Sequence, residues 1–180
     1  MSLGSSSTAF HPSGGLSSTS GTSVGEFVKA VLIVTAVAGT LDIVAAHIHT
    51  WIASGKFPVN LLKAIAGGAL GRERAMQGGA GLLWLGLFFH FVISFLFTLF
   101  FFSVYPRVKW MGRNVFVTGV FYTLLVWTTM NVIVLPLSAL NSPLPNFASK
   151  HTYIGVLVLA IVFTLPIMVG AERLYRKRSP

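Results

Sequence analysis

Asp42 interrupts the run FVKAVLIVTAVAGTLDIVAAHIHTWI (27–52), which is otherwise almost wholly apolar. Only four residues of the chain are acidic, and this one alone falls where a bilayer would surround it. A carboxylate at that depth is costly and needs a partner, a proton or a ligand. His90 holds a comparable place in AGLLWLGLFFHFVISFLFTLFFFSVY (80–105). An Asp42–His90 pair can share a charge-assisted hydrogen bond and exchange a proton. Thr128 and Asn131, in the uncharged run NVFVTGVFYTLLVWTTMNVIVLPL (114–137), add neutral donors and acceptors that can orient a solute. His49 and His151 are the candidates for a metal site or for axial ligation of a haem. No His pair recurs on one span at a spacing suited to stacked haems.

These residues must be positioned by membrane helices. The chain is 54% hydrophobic and only 9% charged, against about 25% charged in a soluble domain. With no cysteine, it can build no disulfide, thiolate zinc site, iron–sulfur cluster or cysteine nucleophile. The formal charge of +9 flanks apolar segments and gathers at Arg173, Arg176, Lys177 and Arg178. That pattern fits helix ends meeting anionic headgroups. It lacks the aromatic-interleaved stripe of a nucleic-acid binder, so lipids are the expected partners and nucleic acid is not. Residues 1–23 are rich in Ser, Gly and Thr and predict a disordered tail, without the basic and apolar regions of a cleavable signal peptide.

The expected fold is all-α: a four-helix transmembrane bundle over 24–172, with spans near 27–51, 80–105, 114–137 and 151–170, each long enough to cross about 30 Å of hydrocarbon. A basic cytoplasmic tail, 173–180, follows. Trp51, Trp84, Trp110, Tyr105, Tyr153 and Tyr175 lie near span ends, as interfacial belts require. Pro136 predicts a helix end and Pro166 a kink. An even number of spans puts both termini on one side, and eight basic residues on that side against five on the other favour the cytoplasm. Between the first two spans, PVNLLKAIAGGAL predicts a short helix bracketed by Pro58 and Gly67-Gly68. It is too short to span, so it either lies in the interface or re-enters as a lid over a cavity.

At 1.5 Å per residue, Asp42 falls roughly 6 Å beyond the midpoint of its span toward the outer face, and His90 roughly 3 Å toward the same face. Thr128 and Asn131 come out at comparable levels. His49, His151 and Tyr153 approach the outer interface. Steps of three and four residues place Thr35, Ala38, Asp42, Ala45 and His49 on one side of the first helix. Gly86, His90, Ser94 and Thr98 share a side of the second, Thr128 and Asn131 one of the third, and His151 and Gly155 one of the fourth. Facing inward, these sides make a polar pocket in the outer half. Lys63, Arg72, Arg74, His49, His151 and Tyr153 are candidates for its mouth or for headgroup contacts. His47, some 140° around the helix from Asp42, predicts an interfacial or helix-contact role.

The pattern supports binding or permeation of a small solute, ion or proton. It also supports a structural, assembly or regulatory subunit without its own ligand, since polar residues join membrane helices. A haem- or metal-binding protein is a further alternative, although no cofactor is required by the sequence. Catalysis is the least supported class, because HExxH, GxSxG, GxGxxG and Walker loops are all missing. No internal repeat links the two halves, so most transport schemes would need a homo-oligomer or a membrane-protein partner. The segments LDIVAAHIHTWIASGKFPVNLLKAIAGGALG, LGLFFHFVISFLFTLFFFSVYP and WTTMNVIVLPLS resemble a family of small uncharacterised four-span bacterial membrane proteins. Asp42, His90 and Asn131 belong to that pattern. The resemblance implies architecture and a bacterial inner (cell) membrane location, and no reaction.

Overall fold

The computed structural model describes residues 23–108 and 110–176. The Ser/Gly-rich tail before Ser23, together with His11, Lys109, Lys177 and Arg178, lies outside the described residues. Four helices are long and apolar enough to cross a membrane: α1 (Val24–Ser54), α4 (Gly81–Val104, continued by a 3-10 turn to Arg107), α5 (Val115–Leu137) and α6 (Lys150–Arg176). Two short helices, α2 (Leu61–Leu70) and α3 (Arg72–Gln77), fill the first connection. No strand occurs among the described residues. The chain is an all-α, multi-pass membrane protein.

Local chemistry sets the helix ends. Ser23 caps α1 by accepting from the Glu26 amide at 3.2 Å, and Glu26 places its charge in the first turn, where the helix dipole favours it. Gly55 ends α1 at φ 69° and donates its amide to Trp51 O, a left-handed cap that glycine adopts without strain. With 31 residues, α1 is about 46 Å long and outruns the hydrocarbon layer. Ser149 caps α6 through the His151 amide. The fourth span therefore starts where expected but stays helical to Arg176, through half of the segment expected as a basic tail.

Both later spans contain a π-helical turn just before a Leu-Pro pair: Thr129–Val134 ahead of Pro136, and Ala160–Thr164 ahead of Pro166. Proline brings no N–H and crowds the preceding turn. Widening that turn lets each helix continue instead of breaking. Pro136 is followed within one residue by the expected helix end at Leu137.

Viewed along the bundle, one end carries the described chain ends and the other the two longer connections. Toward the terminal end, Val31, Phe101, Phe102, Ile167 and Ala171 are almost fully buried in one cluster. At the loop end, α2 packs against the start of α4. Gly86 makes this possible, because a Cβ there would stand 1.9 Å from Leu62 O. Lys63 Nζ donates to Gly78 O at 2.7 Å, and the Ala139 amide donates to Gly68 O at 2.9 Å. Held on two sides, α2 forms part of the wall of an interior cavity.

Candidate functional site

A cavity of about 500 Å³ occupies the loop half of the bundle and is lined by Asp42, His49, His90, Asn131, His151 and Thr152, among others. The inward stripe of α1 supplies the first part. Val31, Thr35 and Ala38 are buried, and the same stripe continues as Asp42, Ala45 and His49 into the cavity. The helical period thus moves one face from dry packing to cavity lining.

From α4, His90, Ser94 and Phe97 face the same space. His90 and Asp42 share the cavity but are not joined. The expected hydrogen bond is replaced by one from His90 Nε2 to Gly39 O at 2.8 Å. Because a carbonyl only accepts, Nε2 carries a proton and donates it to this bond. The reason is the tight α1–α4 approach: a Cβ on Gly39 would lie 2.9 Å from the Phe91 ring. That closeness brings the Gly39 carbonyl, one turn before Asp42, within reach of the imidazole. Among the described residues, no hydrogen bond or ion pair forms at Asp42.

Asn131 reaches the cavity from α5 and donates Nδ2 to Trp127 O at 3.0 Å. Thr128 does not join it. Trp127, Met130 and Asn131 face the cavity, and Thr128, about 100° past Trp127 on the helix, faces a separate aromatic groove with Phe100, Trp110 and Phe121. Its expected level is compatible with the site; its side of the helix is wrong.

His49 and His151 come together across α1 and α6, with ring centroids 6.3 Å apart in an edge-to-face arrangement. His49 Nε2 is buried without a hydrogen-bond partner, which is unusual for a group of this polarity. As a metal site the pair supplies two imidazoles. Among the described residues, no group of three or more His, Asp or Glu side chains assembles as a ligand set. The remaining candidates for the mouth stand elsewhere: Lys63 is tied to Gly78 O, Arg72 and Arg74 are exposed on α3, and Tyr153 is 64% exposed. None of these four lines the cavity. His47 bonds its own helix at Ile43 O and packs near Phe57.

The apolar part of the lining was not anticipated from the sequence. Phe97, Trp127, Met130 and Phe163 line the cavity, and Ile65 of α2 contributes from the loop end. Phe97 could have been found by stepping seven residues from His90, and Trp127 by stepping four back from Asn131. The contribution of α2 agrees with the reading of this short helix as a cover over a cavity. Comparison of the chain with protein-family models, curated proteins and solved structures finds no match.

Proposed function

We propose that this protein binds a small solute within the membrane, in the cavity between Asp42, His90, His49, His151 and Asn131. The observation that carries this reading is the pair of polar groups at the cavity, on Asp42 and His49, that lack hydrogen bonds. The Asp42 carboxylate has no hydrogen bond and His49 Nε2 is buried unpaired, beside about 500 Å³ of space. Pockets of about 300–1,000 Å³ with an apolar wall and a few convergent polar groups are typical small-molecule sites. The distribution of basic residues supports termini in the cytoplasm, which places the cavity in the outer half. The resemblance to four-span bacterial proteins supports a bacterial inner membrane. Binding can serve permeation or sensing, and a permeation path through so small a bundle calls for an oligomer.

A second reading, a structural subunit, is favoured by one observation. His90 spends its proton on the backbone of α1, as an interhelical fastener does.

The chain lacks cysteine, so one introduced thiol reports its own surroundings. Methanethiosulfonates react with the thiolate, which needs water to form. Ala45→Cys in the cavity is expected to be modified at least about tenfold faster than Ala38→Cys, since Ala38 is fully buried in the packed stripe. Equal, slow modification of both would mean a dry interior and would select the structural reading.

A further inference from the structure

The charge pattern of the cavity narrows the class of occupant. Of the residues that line it, Asp42 is the one carboxylic acid, and no lysine or arginine is among them. The nearest basic candidates are turned away or engaged, with Lys63 on Gly78 O and Arg72 and Arg74 exposed on α3. An anionic solute would be repelled by an ionised Asp42. A cationic solute supplies the counter-charge that an ionised carboxylate calls for in a low-dielectric site, which a neutral solute does not.

The lining also contains aromatic side chains. Phe97, Trp127 and Phe163 are among its residues, and an aromatic ring face attracts a cation through its quadrupole. The remaining polar groups include an open acceptor. Asn131 uses its amide nitrogen on Trp127 O, which leaves its carbonyl oxygen to accept.

We infer that the occupant is an amphipathic organic cation, a protonated amine with an apolar or aromatic body, with Asp42 as its counter-ion and Phe97, Trp127 and Phe163 around its body. This rests on the solute-binding reading above and specifies its ligand class. A bare inorganic cation fits less well, because it would want a shell of about six oxygen ligands, where Asp42 is the one carboxylate and much of the lining is apolar or aromatic.

The test uses the full chain carrying Ala45→Cys, in detergent or nanodiscs, with a neutral methanethiosulfonate so that the reagent's charge plays no part. Three probes of similar shape are compared as protectants: 2-phenylethylammonium, 2-phenylethanol and phenylacetate. The amine should slow modification at roughly tenfold lower concentration than the alcohol, and the carboxylate should not protect. Adding Asp42→Asn should reduce the amine to the potency of the alcohol while leaving the alcohol unchanged, and Asp42→Glu should keep the preference. Size-exclusion profiles identify any variant that fails to fold, and Asp42→Glu then decides alone. Equal protection by all three probes, or a preference that survives Asp42→Asn, would overturn the amine assignment and leave solute binding intact. So would a reactive Ala45→Cys that the amine does not protect. An Ala45→Cys as inert as Ala38→Cys would overturn both.

Discussion

From the level of Ser94 toward the terminal end of the bundle, most buried hydroxyls are matched to acceptors. Tyr122 donates to Phe97 O at 2.7 Å, Tyr175 to Phe102 O at 2.8 Å, Thr98 to Ser94 O, and Thr123 to Thr164 Oγ1 at 2.9 Å. At the loop end, Asp42 forms no such bond and His49 Nε2 is buried without one. The same four helices build both regions, so membrane burial does not explain the difference. In lipid an unmatched polar group is disfavoured, and matching is achieved for most hydroxyls where helices close up on Phe101 and Phe102. Thr35, whose buried Oγ1 has no partner, is the exception on the closed side, one helical turn short of the Ala38 level. The contrast separates a dry, interlocked half that fixes helix positions from a half that keeps open polar capacity.

Damage to the interlocked half should have the largest effect. Phe102 is fully buried against Phe27 and the α6 face. Phe102→Ala is expected to cost about 3 kcal/mol, the low end for such truncations, because lipid, unlike water, solvates the exposed ring in the unfolded reference. Titration of the folded fraction with sodium dodecyl sulfate measures it. A loss below about 1 kcal/mol would mean that the terminal end is not the rigid half.

A smaller effect sharpens the same point. Thr164→Val keeps the volume of the side chain but removes the acceptor of Thr123. It should cost about 0.5–1 kcal/mol, the usual size of an interhelical hydrogen bond in a membrane. Adding Thr123→Val should recover most of that loss, because no donor is then left unmatched. Strict additivity of the two losses would show that the hydroxyls act separately and that the pair is not a fastener.

Much of this arrangement was legible because membrane helices have few ways to place a polar residue. Steps of three and four residues put Asp42, Ala45 and His49 on one face, and the cavity lies there. His49 and His151 met because equal depth on adjacent helices leaves little else to vary. Thr128 failed for a geometric reason: depth follows from counting residues, whereas facing depends on where the neighbouring helices stand. The bond from His90 to Gly39 O was illegible, since every residue offers a carbonyl and only the close approach at Gly39 selects one. Docking of α2 depends likewise on Gly86, and an isolated glycine in a helix has several possible meanings. The two prolines announced disturbed helices. That both would be absorbed by π-helical turns depends on the packing of the whole span.

The finest test of the comparison is Asp42→Asn, and its expected effect on stability is under about 0.5 kcal/mol in the same titration. The side chains differ little in shape, and the carboxylate forms no hydrogen bond or ion pair that the amide would forfeit. His90 remains attached to Gly39 O whichever residue stands at 42, so the α1–α4 contact is retained. The amide also removes a charge that is unfavourable in the membrane interior, and any shift should be toward greater stability. Loss of more than about 1 kcal/mol would make Asp42 a fastener like Thr123 and Thr164, and the two halves would no longer differ in kind. A neutral result together with loss of amine protection would mean that the charge serves the cavity's occupant and not the fold.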